Sequence, residues 1–245
     1  MPHTGEPRLR NRIAVVTGGG KGLGQAVVTA LAGEGADVAL SYRESRAGAE
    51  EAALKVRALG QRAFLGKADA RVPGEMAGFI EAAAGALGGV DLLVNNVGVF
   101  RPFVLEELSE EALDEAFDVN VKAAVMAARA SAPHMRRRGG GAIVNVASLG
   151  GQRPWKAYLP YCTSKAALIM ATECLALLLA PEIRVNAVAP GVLDPPGADE
   201  ALRRRIPQGR FGSHDEAVEA VLFLLANASY TTGEVVRVDG GRALR

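Results

Sequence analysis

Ile13-Ala-Val-Val-Thr17-Gly18-Gly19-Gly20-Lys21-Gly22-Leu23-Gly24 decides the fold. Ile13 to Val16 is short, apolar and β-branched, and it ends at a glycine cluster, as a buried strand does. A helical pattern follows from Leu23 to Ala32. Glycines between a strand and a helix let the backbone turn tightly and approach a pyrophosphate. The helix N-terminus adds free N–H groups and the positive end of its dipole. The spacing T-G-x-x-x-G-x-G is neither G-x-G-x-x-G nor a Walker A loop. Its place between the first strand and the first helix distinguishes it from a ligand-free turn.

Working outward, strands and helices alternate. Val38–Leu40 reads as a second strand, Ala47–Leu59 as a helix closed by Gly60, and Ala63–Leu65 as a third strand. A helix over Gly74–Leu87 precedes a fourth strand, Val90–Val94. A long helix is expected from Glu111 to Arg137, then a strand at Ala142–Val146, a helix at Tyr161–Leu179 and a strand at Arg184–Val188. Asp215–Leu225 reads as the last helix and Glu234–Val238 as the last strand. This alternation predicts a single-domain α/β fold: a doubly wound, Rossmann-type parallel sheet with helices on both faces. Residues 12–245 would form it, behind a loose arm over residues 1–11. Such sheets bind ligands beyond the carboxyl ends of their strands, so the informative loops follow Val16, Leu40, Leu65, Val94, Val146 and Val188.

The bulk composition excludes several classes. The chain has 245 residues, 49% hydrophobic and 22% charged, with a net charge of +1. That balance leaves no electrostatic footprint for nucleic acid or an anionic membrane. The triplets Arg136–Arg138 and Arg203–Arg205 read as solvated. No run of about twenty apolar residues is expected to span a membrane, and the polar N-terminus has no signal-peptide pattern. Cys162 and Cys174 fall in one helix, roughly 18 Å apart, too far to bridge. Two free thiols suit a reducing compartment, and the cytoplasm is the expectation. His3, His134 and His214 are scattered, so no metal site is expected.

The joint pattern resembles the short-chain dehydrogenase/reductase family from Arg12 onward. Besides the glycine loop, Asn95-Asn96-Val97-Gly98 is similar to that family's N-N-A-G. Asn120 resembles its helix asparagine, Ser148, Tyr161 and Lys165 its S…Y-x-x-x-K, and Pro190-Gly191 its P-G after the sixth strand. The resemblance implies an NADP(H)-type cofactor on Gly18, Gly20, Lys21, Gly22, Leu23 and Gly24. It would also meet Tyr42, Arg43, Asp69, Ala70, Asn96, Val97, Gly98, Pro190, Gly191 and Leu193. Tyr42 stands where members preferring NAD carry an aspartate. Arg43 follows, and Lys21 lies in the glycine loop, so two cations suit a dianionic 2′-phosphate. Asp69 is implied to meet the adenine; its alternative use is to cap the next helix.

Tyr161 and Lys165 are spaced to share one helix face. A phenol with pKa near 10 is a poor acid–base catalyst at neutral pH, and a nearby ammonium would lower it. Tyr161 would give a proton to a carbonyl oxygen, while Ser148 would hydrogen-bond that oxygen. The resemblance implies that Lys165 also holds the nicotinamide ribose and that Asn120 holds a proton-relaying water. Ser148 lacks a G-x-S-x-G elbow, so a hydrolase triad is not expected.

The expected activity is NADPH-dependent reduction of a ketone, a 3-oxoacyl compound or another carbonyl. Alternatives are C=N reduction of a pterin, because 179–186 and Asp239-Gly240-Gly241-Arg242 also resemble pteridine reductases, and an inactive NADP(H)-binding regulator. Val97 replaces the family's alanine. No threonine follows Pro190-Gly191, and Pro195 and Pro196 suggest a set shape for the loop from about Val192 to Arg210. The helix Tyr161–Leu179 is apolar on nearly every side, interrupted only by Thr172 and Glu173. It therefore predicts a homotetramer through this helix and the Glu111–Arg137 helix.

Overall fold

The computed structural model describes residues 7–195, 197 and 200–245. β1 (Ile13–Thr17) leads into α1 (Gly22–Gly33), then β2 (Asp37–Tyr42), α2 (Arg46–Ala58), β3 (Ala63–Lys67), α3 (Glu75–Leu87) and β4 (Leu92–Asn95). The second half runs α4 (Glu110–Phe117), α5 (Ala123–Arg137), β5 (Gly141–Val146), α6 (Leu159–Leu179), β6 (Ile183–Pro190), α7 (Glu200–Arg203), α8 (His214–Leu222) and β7 (Val235–Val238). The strands form one 7-stranded sheet, ordered β3-β2-β1-β4-β5-β6-β7. All its pairings are parallel. Strand order reverses between β1 and β4, so the crevice for a ligand opens beyond their carboxyl ends.

β1 explains the two layers. All of its residues are buried, because helices cover both faces. Ala14 and Val16 join one core with Val27 and Leu31 of α1 and Val221 of α8. Ile13 and Val15 join the other with Phe79 and Ile80 of α3 and Met135 of α5.

Four expectations change. The helix expected over Glu111–Arg137 carries a π-turn at Asp118–Lys122, between α4 and α5. Such wider turns concentrate at functional sites, and this one holds Asn120. The expected loose arm is tied down over residues 7–11, while residues 1–6 lie outside the described residues. Leu9 is 3% exposed, and its N–H donates to the Glu34 carbonyl at 2.9 Å. Arg8 pairs with the Glu34 carboxylate, so an apolar anchor and an ion pair override the polar composition. Arg138 is not simply solvated: its Nε donates to the fully buried Asp91 at 2.9 Å. Finally, α6 spans 21 residues with mean hydropathy 1.6, long and apolar enough to cross a membrane. Ser164, Lys165 and Thr172 nevertheless tie it to the sheet and the π-turn through buried hydrogen bonds.

Candidate active site

The glycine loop is held by its neighbours. Gly18 has φ +70°, a conformation that favours glycine, and its N–H donates to Ser41 Oγ at 3.0 Å. A Cβ on Gly24 would lie 2.2 Å from the Gly18 carbonyl oxygen, so only glycine lets α1 start this close to the loop. Asn96 Nδ2 donates to the carbonyls of Thr17 at 3.1 Å and Gly18 at 3.0 Å, strapping β1's loop to β4's. Val97 fills the space beside Gly18, with Cγ2 3.0 Å from where a Cβ would stand. The N-terminus of α1 has no side-chain cap.

Two cavities meet across this loop. One, about 260 Å³, is lined by Gly18, Lys21, Tyr42, Arg43, Asp69 and Ala70 among others. The second, about 920 Å³, holds Ser148, Tyr161, Lys165, Pro190, Gly191 and Leu193. Leu23, Asn96, Gly98 and Val99 border both, so they form one continuous groove.

Within the larger cavity, Tyr161 and Lys165 lie one turn apart on α6. Burial pushes the Tyr161 phenol above its ordinary range, and the neighbouring Ser148 hydroxyl draws it partly back. The expected lowering by Lys165 does not arise here. Lys165 Nζ donates to the Val146 carbonyl at 2.7 Å and lies 6.0 Å from the centre of the Tyr161 ring. Lys165 is itself buried, and desolvation lowers its pKa to about 8. Ser148 Oγ accepts from the Gly150 N–H at 3.0 Å, which aims the hydroxyl at the end of β5. Asn120 Oδ1 accepts from the Val99 N–H at 2.8 Å, and its Nδ2 donates to Ser164 Oγ at 2.9 Å. Asn120 thereby clamps the loop after β4 to α6.

A model of the short chain dehydrogenase family matches residues 12–205. The chain belongs to the short-chain dehydrogenase/reductase family. Among its relatives, L-xylulose reductase of Mus musculus is 38% identical, over 95% of this chain and 97% of that protein. A short chain dehydrogenase from Burkholderia cenocepacia, solved in complex with NADP, has TM-score 0.91 and 36% identity over 96% of this chain and 99% of that one. A blue fluorescent protein from a metagenomic library, solved with NADPH, has TM-score 0.92 and 32% identity over 96% and 99%.

A nicotinamide dinucleotide, the cofactor type of short-chain dehydrogenases/reductases, fits the continuous groove. The uncapped start of α1 offers N–H groups, and Leu23 sits where the two cavities join. Most sequence-expected residues line the groove. Gly20 does not: a Cβ there would meet Ser45 Oγ at 2.5 Å, so Gly20 serves the packing of the loop on α2. Gly22 also lies outside both linings, next to His214. Asp69 caps no helix, because α3 starts after Gly74. Its carboxylate instead takes the Arg71 guanidinium and backbone N–H, which hold its pKa at about 2. Pro196 lies outside the described residues.

Sequence reasoning missed the aromatic wall of this short-chain dehydrogenase/reductase site. Aromatics are 5% of the chain, yet Phe100, Trp155 and Tyr158 gather around Tyr161. Phe100 stacks on Tyr158 at 4.6 Å between ring centres, and its edge meets Tyr161 at 4.7 Å. Phe100 stands two residues after the N-N-V-G stretch and Trp155 is the chain's single tryptophan, which were the available signals. Sequence reasoning also missed Asn145, whose Nδ2 donates to Thr172 Oγ1 at 2.8 Å while its Oδ1 accepts from Asn95 at 2.9 Å.

Proposed function

We propose that this protein is an NADPH-dependent reductase of ketones, with Tyr161 as the proton donor. One observation carries the reading. The Tyr161 phenol stands beside Ser148 in a groove continuous with the glycine loop, and burial raises its pKa. The cofactor supplies a hydride to the carbonyl carbon. The protein's part is at the oxygen. Ser148 hydrogen-bonds the oxygen as charge develops, and Tyr161 Oη delivers the proton. Lys165, bonded through Nζ to the Val146 carbonyl, fixes the turn of α6 that carries Tyr161. The aromatic wall of Phe100, Trp155 and Tyr158 gives the carbonyl compound an apolar surface beside Tyr161.

Lys21 and Arg43 line the smaller cavity and support a 2′-phosphate. Arg43 pairs with Glu44 at 2.8 Å, but Glu44 is 77% exposed, and a dianion would compete well for that guanidinium. The relatives solved with NADP and NADPH point the same way.

The functional form would be a homotetramer built on α6 and the α4–α5 face. Met170, Leu177 and Leu178 are 57%, 84% and 73% exposed, an apolar stripe suited to a second copy of itself. The test of function is NADPH and NADH oxidation with diketones, acetoacetyl thioesters and dihydropterins side by side. Reduction of ketones with NADPH is expected. Turnover of dihydropterins alone, or of nothing, overturns the reading.

A further inference from the structure

Arg205 and Arg242 stand on the wall of the catalytic cleft, beside Trp155. Among the described residues, neither guanidinium forms an ion pair, and Arg242 feels only the charge of Asp239 against that of Arg205. Neighbouring arginines differ: Arg203 pairs with Glu200 at 2.7 Å, and Arg210 donates to Glu216 at 2.9 Å. Arg242 is half-buried, and its Cζ stacks over Trp155, 5.2 Å from the ring centre. Burial and the charge of Arg205 both push Arg242 down, and Asp239 only partly offsets them. The Asp239 carboxylate is already used, accepting the N–H groups of Gly241 at 3.0 Å and Ala243 at 2.7 Å.

The positive field extends beyond the cleft. A recess of about 550 Å³ shares Pro154, Trp155, Arg205 and Arg242 with it and adds Arg153, Arg204 and Arg245. No acidic side chain lines either cavity among the described residues. Arg153 donates to the Ala243 carbonyl at 2.6 Å, which fixes the turn that presents Arg242. Arg242 is partly desolvated and Arg205 stands exposed beside it in the same cleft, and neither makes an ion pair among the described residues, so the two forks favour an anion that can accept N–H bonds from both.

Trp155 sets the geometry. It stacks against Tyr161 at 6.0 Å between ring centres and lies under Arg242. The proton donor and the cation pair are therefore one indole apart, in one cleft. We infer that the substrate is an oxo compound bearing a carboxylate or phosphate, bound by Arg205 and Arg242 while its carbonyl lies at Tyr161. The inference rests on the reading of Tyr161 as proton donor.

The test compares kcat/KM for acetoacetate, levulinate and its next homologue with their methyl esters. A second arm compares dihydroxyacetone phosphate with dihydroxyacetone. For the best-fitting anion, a preference of at least about tenfold over its neutral partner is expected, chiefly in KM. Added salt should narrow it. Arg205→Gln with Arg242→Gln should bring the ratio to about one. Arg242→Lys, which keeps the charge and loses the fork, should retain part of it. Whichever arm responds identifies the oxyanion.

Equal turnover of acids and esters by the wild type overturns the anion subsite and leaves ketone reduction standing. Absence of all ketone turnover sinks the reductase reading instead. The subsite is then read by calorimetry of hexanoate into the NADPH-loaded protein, where equal affinity for wild type and double variant overturns it. A double variant that changes only the oligomeric mass, with the ratio intact, assigns the arginines to a subunit contact and also overturns it.

Discussion

Lys165 gives its ammonium to the carbonyl of Val146, at 2.7 Å, rather than to Tyr161 one turn away on the same helix. The bond crosses from α6 to the end of β5. It fixes the position of Lys165 relative to Ser148, which follows two residues after Val146. A buried ammonium needs such a partner, since leaving it unpaired would cost far more than one hydrogen bond. Tyr161 on α6 and Ser148 after β5 are therefore held in place relative to one another by a helix locked to the sheet at this point.

Removing the phenol hydroxyl tests the chemistry directly. Tyr161→Phe keeps the ring and its contacts with Phe100 and Trp155. Turnover should fall by about 10²–10⁴ while NADPH binding stays nearly the same. Steady-state kinetics with calorimetry of NADPH decides it, and turnover within a few-fold of wild type removes Tyr161 from the proposed role.

Lys165 also makes a signed statement about stability. Its folded pKa, about 8, lies below its ordinary 10.5. Between those values the unfolded chain binds more protons, so this group's contribution to stability rises with pH across the window. The cost is fully present below about pH 8. In urea titrations of the protein without cofactor, wild type should gain stability relative to Lys165→Met from about pH 7 to about pH 10. A difference that does not change with pH would contradict the burial of that charge.

Cofactor choice is expected to rest on Arg43. Arg43→Leu should weaken NADPH binding by about tenfold or more, the worth of a charge-assisted hydrogen bond, and change NADH binding little. Equal losses for both cofactors, measured at one ionic strength, would assign Arg43 a general rather than a phosphate-specific part.

The buried pair Asn145–Thr172 links β5 to α6. Thr172→Val keeps the volume and leaves Asn145 Nδ2 without that acceptor, at a cost of about 1–3 kcal/mol. Combined with Asn145→Ala, the losses should be less than additive in denaturant titrations, because the two variants remove the same bond. Full additivity would mean that the two residues act independently.

Assembly is expected to fail when charge enters the exposed stripe. Leu177→Glu should convert the proposed homotetramer to smaller species, down to a 25.5 kDa protomer, at micromolar concentration by light scattering. A wild-type protein already at the protomer mass would end the proposal of a homotetramer.

The site was legible wherever its chemistry is local in the chain. The glycine loop, Asn96 to Gly98 and the Tyr161–Lys165 pair could be read because spacing along one loop or one helix fixes who shares a face. The aromatic wall could not be read. Phe100, Trp155 and Tyr158 come from the loop after β4 and the stretch before α6, which meet only once the sheet closes. Arg205 is exposed, as expected of the triplet Arg203–Arg205, but only the fold sets it on the cleft wall with Trp155 and Arg242.

By itself, the sequence determined the doubly wound sheet, because each strand's burial and each helix's start are written in short-range patterns of apolar residues and glycine. Only the tertiary structure decided directions. α6 is apolar on almost every side, so no periodic stripe told its inner face from its outer one. The outward positions proved to be Met170, Leu177 and Leu178, whereas Leu168 is 2% exposed and Leu175 packs partly against the core. The spacing of Tyr161 and Lys165 likewise placed them on one face without saying where the ammonium would bond. That choice belongs to the carbonyl of Val146, brought within reach by the packing of α6 on β5.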